Sequence, residues 1–168
     1  MPDVKSRETP HSRLIVRTGS LATWRPVGST GRRNMSPSPT RFASIAEDGW
    51  TLVSAEVRYN EHPDSFRIPD RIERESLRTG DAAKLLFDIE TREAGRVIDR
   101  GVDRLWVIVK RRAGIHYVGV LDSDPGIAQG LTLRSGTEVL FGPEHIIDLD
   151  HPPRSYVIDK YGPDFFAR

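Results

Sequence analysis

Between Gly80 and Asp150 the apolar residues adopt a period of two, in short runs separated by turn residues, and this pattern constrains the fold more than any other feature. From Asp81 onward, Ala83, Leu85, Phe87 and Ile89 share one strand face, while Lys84 and Asp88 share the other with Leu86. Leu105 to Val109 is apolar on both faces and reads as a central strand. Ala113-Gly114 then makes a tight turn, and Ile115, Tyr117, Gly119 and Leu121 line one face of a third strand. Thr137 to Phe141 and Ile146 to Leu149 supply two more strands, linked by Pro143-Glu144-His145. The charged stretch Glu90 to Asp103, with Gly95 and Gly101, reads as a long exposed connection. Short strands at this spacing predict a strongly bent, mainly antiparallel five-stranded sheet or a partly open small barrel.

Upstream the period lengthens. Ile45, Trp50, Val53 and Val57 recur at intervals of three to five and predict an amphipathic helix over about 46–59, weakened by Gly49. Asn60 to Ser65 breaks it. A second helix is expected from Pro69 or Asp70 to Leu77. Asp70 is its N-cap, Glu73 completes a capping box, and Gly80 stops it. The expected class is therefore α+β, with two short N-terminal helices packed on the sheet in one domain over 42–150.

The two ends read differently. Residues 1–41 are dominated by Ser, Thr, Pro, Gly and Arg without apolar periodicity, as in a disordered leader. Residues 1–34 hold seven basic and two acidic side chains, so a basic leader precedes a mildly acidic body and the net charge is only +1. Met35 is an alternative true start, because the body's organisation begins just after it. The tail 151–168 carries Tyr156, Val157, Tyr161, Phe165 and Phe166, and is expected to fold back onto the domain. Cysteine is absent, which excludes disulfides and thiolate metal sites. No apolar run approaches the roughly 18 to 20 residues of a membrane span, and no secretory signal core precedes the domain. A cytoplasmic protein with no membrane partner is the expectation.

The sequence holds no phosphate-cradling or dinucleotide glycine motif and no Gly-x-Ser-x-Gly elbow, so no cofactor and no nucleophilic catalyst is expected. Asp122-Ser123-Asp124-Pro125-Gly126 departs from a calcium loop, with glycine at position five and Leu133 at position twelve, and reads as a turn. Glu144, His145, Asp148, Asp150 and His151 form the densest group of ligand-type side chains. On a strand, Asp148 and Asp150 point to one side about 7 Å apart. A metal-dependent hydrolase built on Glu144, His145, Asp148 and Asp150 is thus one alternative, against the observation that no zinc motif is present. Lys110-Arg111-Arg112, near Arg104, Trp106, His116 and Tyr117, interleaves basic and aromatic groups as nucleic-acid-binding barrels do. The acidic body opposes that second alternative. The leading expectation is a non-enzymatic binding module. Its protein partner would meet Lys110, Arg111, Arg112 and Tyr117 on the hairpin, and Asp122 and Asp124 on the neighbouring turn.

Several segments carry a family resemblance. They are Pro63-Asp64-Ser65-Phe66-x-Ile68-Pro69, Gly80-Asp81-x-x-Lys84-Leu85-x-Phe87, and Arg104-Leu105-Trp106-Val107-x-Val109 followed by Tyr117-x-Gly119-x-Leu121-x-Ser123-x-Pro125. The last is Gly136-x-Glu138-Val139-x-Phe141-x-Pro143-Glu144-His145-Ile146-Ile147-Asp148. Over about 59–150 the chain resembles a bacterial group of uncharacterised domains, the domain of unknown function 2314. Similar domains occur in ankyrin-repeat fusions and among immunity proteins proposed for toxin systems. The resemblance implies a small β-rich fold and an immunity or regulatory role through a protein partner, and it brings no catalytic residues. Ser123 departs from it, standing where an amide-bearing residue is expected.

Overall fold

Twelve alternating residues after Gly80 build one long strand, and the remaining strands are arranged on it. The computed structural model describes residues 38–126 and 133–167. In chain order the elements are α1 (Ile45–Asp48), β1 (Trp50–Leu52), α2 (Ala55–Glu61), α3 (Arg71–Glu75) and β2 (Ala82–Glu93). They continue with β3 (Arg96–Ala113), β4 (His116–Leu121), β5 (Glu138–Phe141), a 3-10 turn (Pro143–His145), β6 (Ile146–Asp150), α4 (Arg154–Tyr161) and a second 3-10 turn (Pro163–Phe166). The fold is α+β: a curled, antiparallel half-barrel sheet with four short α-helices among the described residues. Residues Met35–Arg168 form a single compact unit. Of the leader expected over 1–41, residues 1–37, with the alternative start at Met35, lie outside the described residues.

The strand order is β1-β2-β3-β4-β5, and β6 also pairs with β2. Because β3 occupies one edge of β2 along its whole length, β6 and β1 share the other edge end to end. β6 lies opposite Ala82 to Leu85, and β1 opposite Leu52's partner Phe87 to Ile89. The alternation read from the sequence sets the inner face. Ala83, Leu85, Phe87 and Ile89 are fully buried there with Trp50, Val107, Tyr117, Phe141 and Ile146. Gly119 permits the tight curl: a Cβ there would stand 2.5 Å from Val107 Cγ1 and 2.7 Å from the Ile108 carbonyl oxygen. The outer face carries a second cluster, Ala82, Ile108 and Val120, covered by Val157 of α4 and Phe165 of the following turn. Burial of each such side chain contributes about 1.5–3 kcal/mol.

Three expectations need correction. The helix expected over about 46–59 is divided into α1, β1 and α2. Gly49, in the left-handed conformation at φ 76°, closes α1 and turns the chain so that Trp50 pairs with Ile89. Arg92 to Arg100 is exposed, as expected, whereas Glu90 and Thr91 are buried, and the stretch Glu90 to Asp103 is not a connection. β2 and β3 continue through it as a hairpin arm around Ala94-Gly95, whose positive φ values of 48° and 79° suit a two-residue turn of type I′. Cross-strand ion pairs brace this polar ribbon, with the Arg100 guanidinium 2.7 Å from Asp88. Ile115, assigned to the third strand's inner face, is 73% exposed at the turn before β4. The helix expected from Asp70 forms as α3, and the Asp70 N–H donates to Glu73 Oε2 at 3.1 Å. No helix among the described residues is long and apolar enough to cross a membrane.

Candidate functional site: an acidic cleft beside helix α3

A surface cleft of about 470 Å³ opens where α3, the start of β2 and the end of β6 meet. It is lined by Pro69, Glu73, Ser76, Leu77, Asp81, Asp148, Leu149 and His151. One wall is α3, which is too short to be stable by itself. Arg74 holds it in place. This arginine is buried, donating to the carbonyl oxygens of Pro69 (3.0 Å) and Pro143 (2.6 Å) and pairing with Glu56 at 2.8 Å. The Tyr117 hydroxyl donates in turn to the Arg74 carbonyl at 3.1 Å. The Arg74 side chain thereby ties α2, α3 and the 3-10 turn together, and its carbonyl joins them to the sheet.

The opposite wall comes from the strands. Asp81 accepts the Arg78 N–H on Oδ2 (2.6 Å) and faces His151 Nδ1 across 2.9 Å on Oδ1. A carboxylate can only accept, so Nδ1 is the donor in this pair. Asp148 lies opposite Lys84 in the β2–β6 register and meets its ammonium at 3.0 Å. Three carboxylates thus surround apolar contributions from Pro69, Leu77 and Leu149, and they outnumber the Lys84 ammonium and the one histidine that face them. Ser76 shares the cleft with the Asp81–His151 pair, but its hydroxyl donates to the Ile72 carbonyl. A hydroxyl held this way is not activated by the histidine. The arrangement suits holding a cation that has an aliphatic stem.

The structure redistributes the residues singled out from the sequence. Tyr117, expected on a contact surface, is fully buried, because its ring packs on Phe141 in the inner core. Lys110 is paired with Glu138 at 2.5 Å. Arg112 donates to the Glu75 carbonyl at 2.9 Å and lies over the Tyr117 ring, whereas Arg111 is simply exposed. Asp122 does not face outward to a partner. It accepts from the hydroxyls of Tyr156 and Tyr161, each at 2.7 Å, and from the Lys160 ammonium at 3.0 Å. Burial alone would raise its pKa, but these three donors outweigh burial and hold it below the ordinary carboxylate value. Tyr161 moves the other way, raised by burial and by the Asp122 charge. Asp124 accepts the Ser135 N–H at 2.7 Å and closes its own turn.

The proposed metal set is also dispersed. Asp148 reaches the cleft, and Asp150 accepts the His151 N–H at 2.8 Å. His145 sits in the 3-10 turn, where Nδ1 accepts the Gly142 N–H at 2.9 Å and the ring meets Phe42, with Glu144 at 3.5 Å. Among the described residues, no three His, Asp or Glu side chains are placed together to hold a metal ion. The cleft instead gathers Asp148 and His151 with Asp81 and Glu73. Glu73 was recognisable in the sequence only as a helix cap, and Arg74 gave no signal there, since its value lies in contacts with Glu56, Tyr117 and Pro143, all distant in sequence. In comparisons with known protein families, with curated proteins and with solved structures, the chain found no match.

Proposed function

We propose that this chain is a non-enzymatic binding module that takes a basic side chain of a protein partner into the acidic cleft. The observation that carries the reading is the lining itself: Glu73, Asp81 and Asp148 around a space of about 470 Å³ with Pro69, Leu77 and Leu149. Lysine and arginine combine an apolar stem with a cationic head, and such a lining complements both. In this reading α2 and α3 are the N-terminal pair of helices packed on the sheet, and they brace one wall of the cleft. Control or neutralisation of a cytoplasmic partner is the role that follows, in line with the immunity-like character implied by the resemblance.

The test is an amide-resolved NMR titration with acetyl-lysine N-methylamide and acetyl-arginine N-methylamide, using the norleucine analogue as the uncharged control. The charged probes should shift the amides of Glu73, Asp81, Asp148 and His151, and Asp148→Asn should weaken them by about fivefold. Absence of shifts there, or equal shifts with norleucine, would refute the reading.

A further inference from the structure

The segment after β6 leaves the cleft and returns to its edge. It begins with His151, whose ring faces Asp81. Pro152-Pro153 follows in a stiff extended conformation, with Pro153 at φ −55° and ψ 140°. Helix α4 and the Pro163–Phe166 turn then cross the outer face of the sheet. The far end comes back to the same two-residue junction: the Phe166 ring lies so close to Gly80 that a Cβ there would be 2.8 Å from it. Arg154 packs over that ring at 3.8 Å. Gly80-Asp81 is therefore touched from both ends of this segment.

Apolar contact holds the segment at a single patch, where Val157 and Phe165, flanked by Tyr161 and Phe166, pack on Ala82, Ile108 and Val120. Val157 is the buried residue of α4, and Phe165 that of the turn. The polar hold is concentrated instead on Asp122, which receives Tyr156, Lys160 and Tyr161 together. Lys160 also donates to the Asp122 carbonyl, and Tyr161 reaches the Leu121 carbonyl at 3.4 Å. A segment held to the outer face by one apolar patch and one polar anchor, and containing no strand paired into the sheet, can open as a local unit.

We propose that residues 151–166 form a strap, latched at Asp122, that sets the charge of the acidic cleft. With the strap down, the His151 N–H neutralises part of Asp81. With it released, the paired prolines carry His151 away, Asp81 Oδ1 is bared while Oδ2 keeps the Arg78 N–H, and a cation binds more tightly. The strap itself stands on geometry alone; its effect on binding rests on the cleft reading above.

The experiment uses the full chain, with hydrogen exchange read by mass spectrometry and the lysine probe titrated by NMR. Asp122→Asn should speed exchange over 154–166 on the order of ten- to hundredfold, leave β2 and β3 protected, and tighten the probe by about three- to fivefold. Phe166→Ala, which loosens the other end without touching Asp122, should act in the same direction. His151→Ala should tighten the probe equally with the strap still protected. Unchanged strap exchange in both Asp122→Asn and Phe166→Ala would overturn the latch, and parallel loss of protection in β2 and β3 would make the segment part of the core. Faster strap exchange with unchanged probe affinity would overturn the coupling. Failure of every variant to bind the probe would instead overturn the cleft reading, while the exchange data still decide on the strap.

Discussion

Replacing Arg74 should be among the most damaging single changes to this fold. Its guanidinium is buried and donates to two carbonyl oxygens, at 3.0 Å and 2.6 Å. Hydrogen bonds from a charged donor contribute about 1.5–3 kcal/mol each, and removing the donor leaves the acceptors without a partner. The pair with Glu56 adds little, because the Glu56 side chain is 46% exposed and water screens it. Arg74→Met keeps the apolar stem and deletes the donors, so the expected loss is about 3–5 kcal/mol. Arg74→Lys offers one compact cationic head where a planar fork spanned two carbonyls, and should lose about half as much. Glu56→Gln should cost under about 1 kcal/mol. Urea unfolding near neutral pH, with unchanged m-values, provides the comparison. An Arg74→Met protein within about 1 kcal/mol of wild type would show that α3 is held by something other than this side chain.

Gly119→Ala forces a methyl group against Val107 and a carbonyl fixed in the β3 ladder, so the loss should be about 3 kcal/mol and roughly 10 °C in Tm; a change below about 1 kcal/mol would argue against the tight curl. His145 should make stability sensitive to mild acid. Burial holds its pKa below the ordinary 6.5, and Nδ1 already accepts the Gly142 N–H, so the unfolded chain takes up this proton more readily than the folded one. The contribution is complete above pH 6.5 and declines as pH falls below it, which urea midpoints at about pH 7.5 and 5.5 would report. If His145→Asn shows the same decline, another group is responsible.

The sequence disclosed the inner core well, because Ala83, Leu85, Phe87 and Ile89 alternate without interruption and half-burial enforces that period. The same rule hid the outer arm. From Arg92 to Arg100 both faces meet water, so no apolar alternation survives, and the pairing is braced by cross-strand charges such as Arg100 and Asp88. The division of the expected first helix had a local cause, Gly49, whose effect depends on Trp50 finding Ile89 some forty residues away. Asp122 was noticed as a polar turn residue, but its three donors lie on a helix that the spacing of Tyr156 and Tyr161 could not orient. The cleft was the least legible part, since Glu73, Asp81, Asp148 and His151 are assembled by pairings across the whole sheet.

The shared edge of β2 has a consequence for the order in which this chain acquires its structure. Strands β1 to β5 can pair as the chain emerges from the ribosome, each largely with a neighbour already made. The stretch Ala82 to Leu85 waits for β6, whose partner residues lie more than sixty positions later. Closing so long a loop is entropically slow. Until it closes, the first third of β2 presents a bare backbone edge, open to pairing with another chain. Pairing of β6 thus acts as the step that seals the nascent molecule against self-association, and ribosome-stalled chains ending before Ile146 should be the aggregation-prone species.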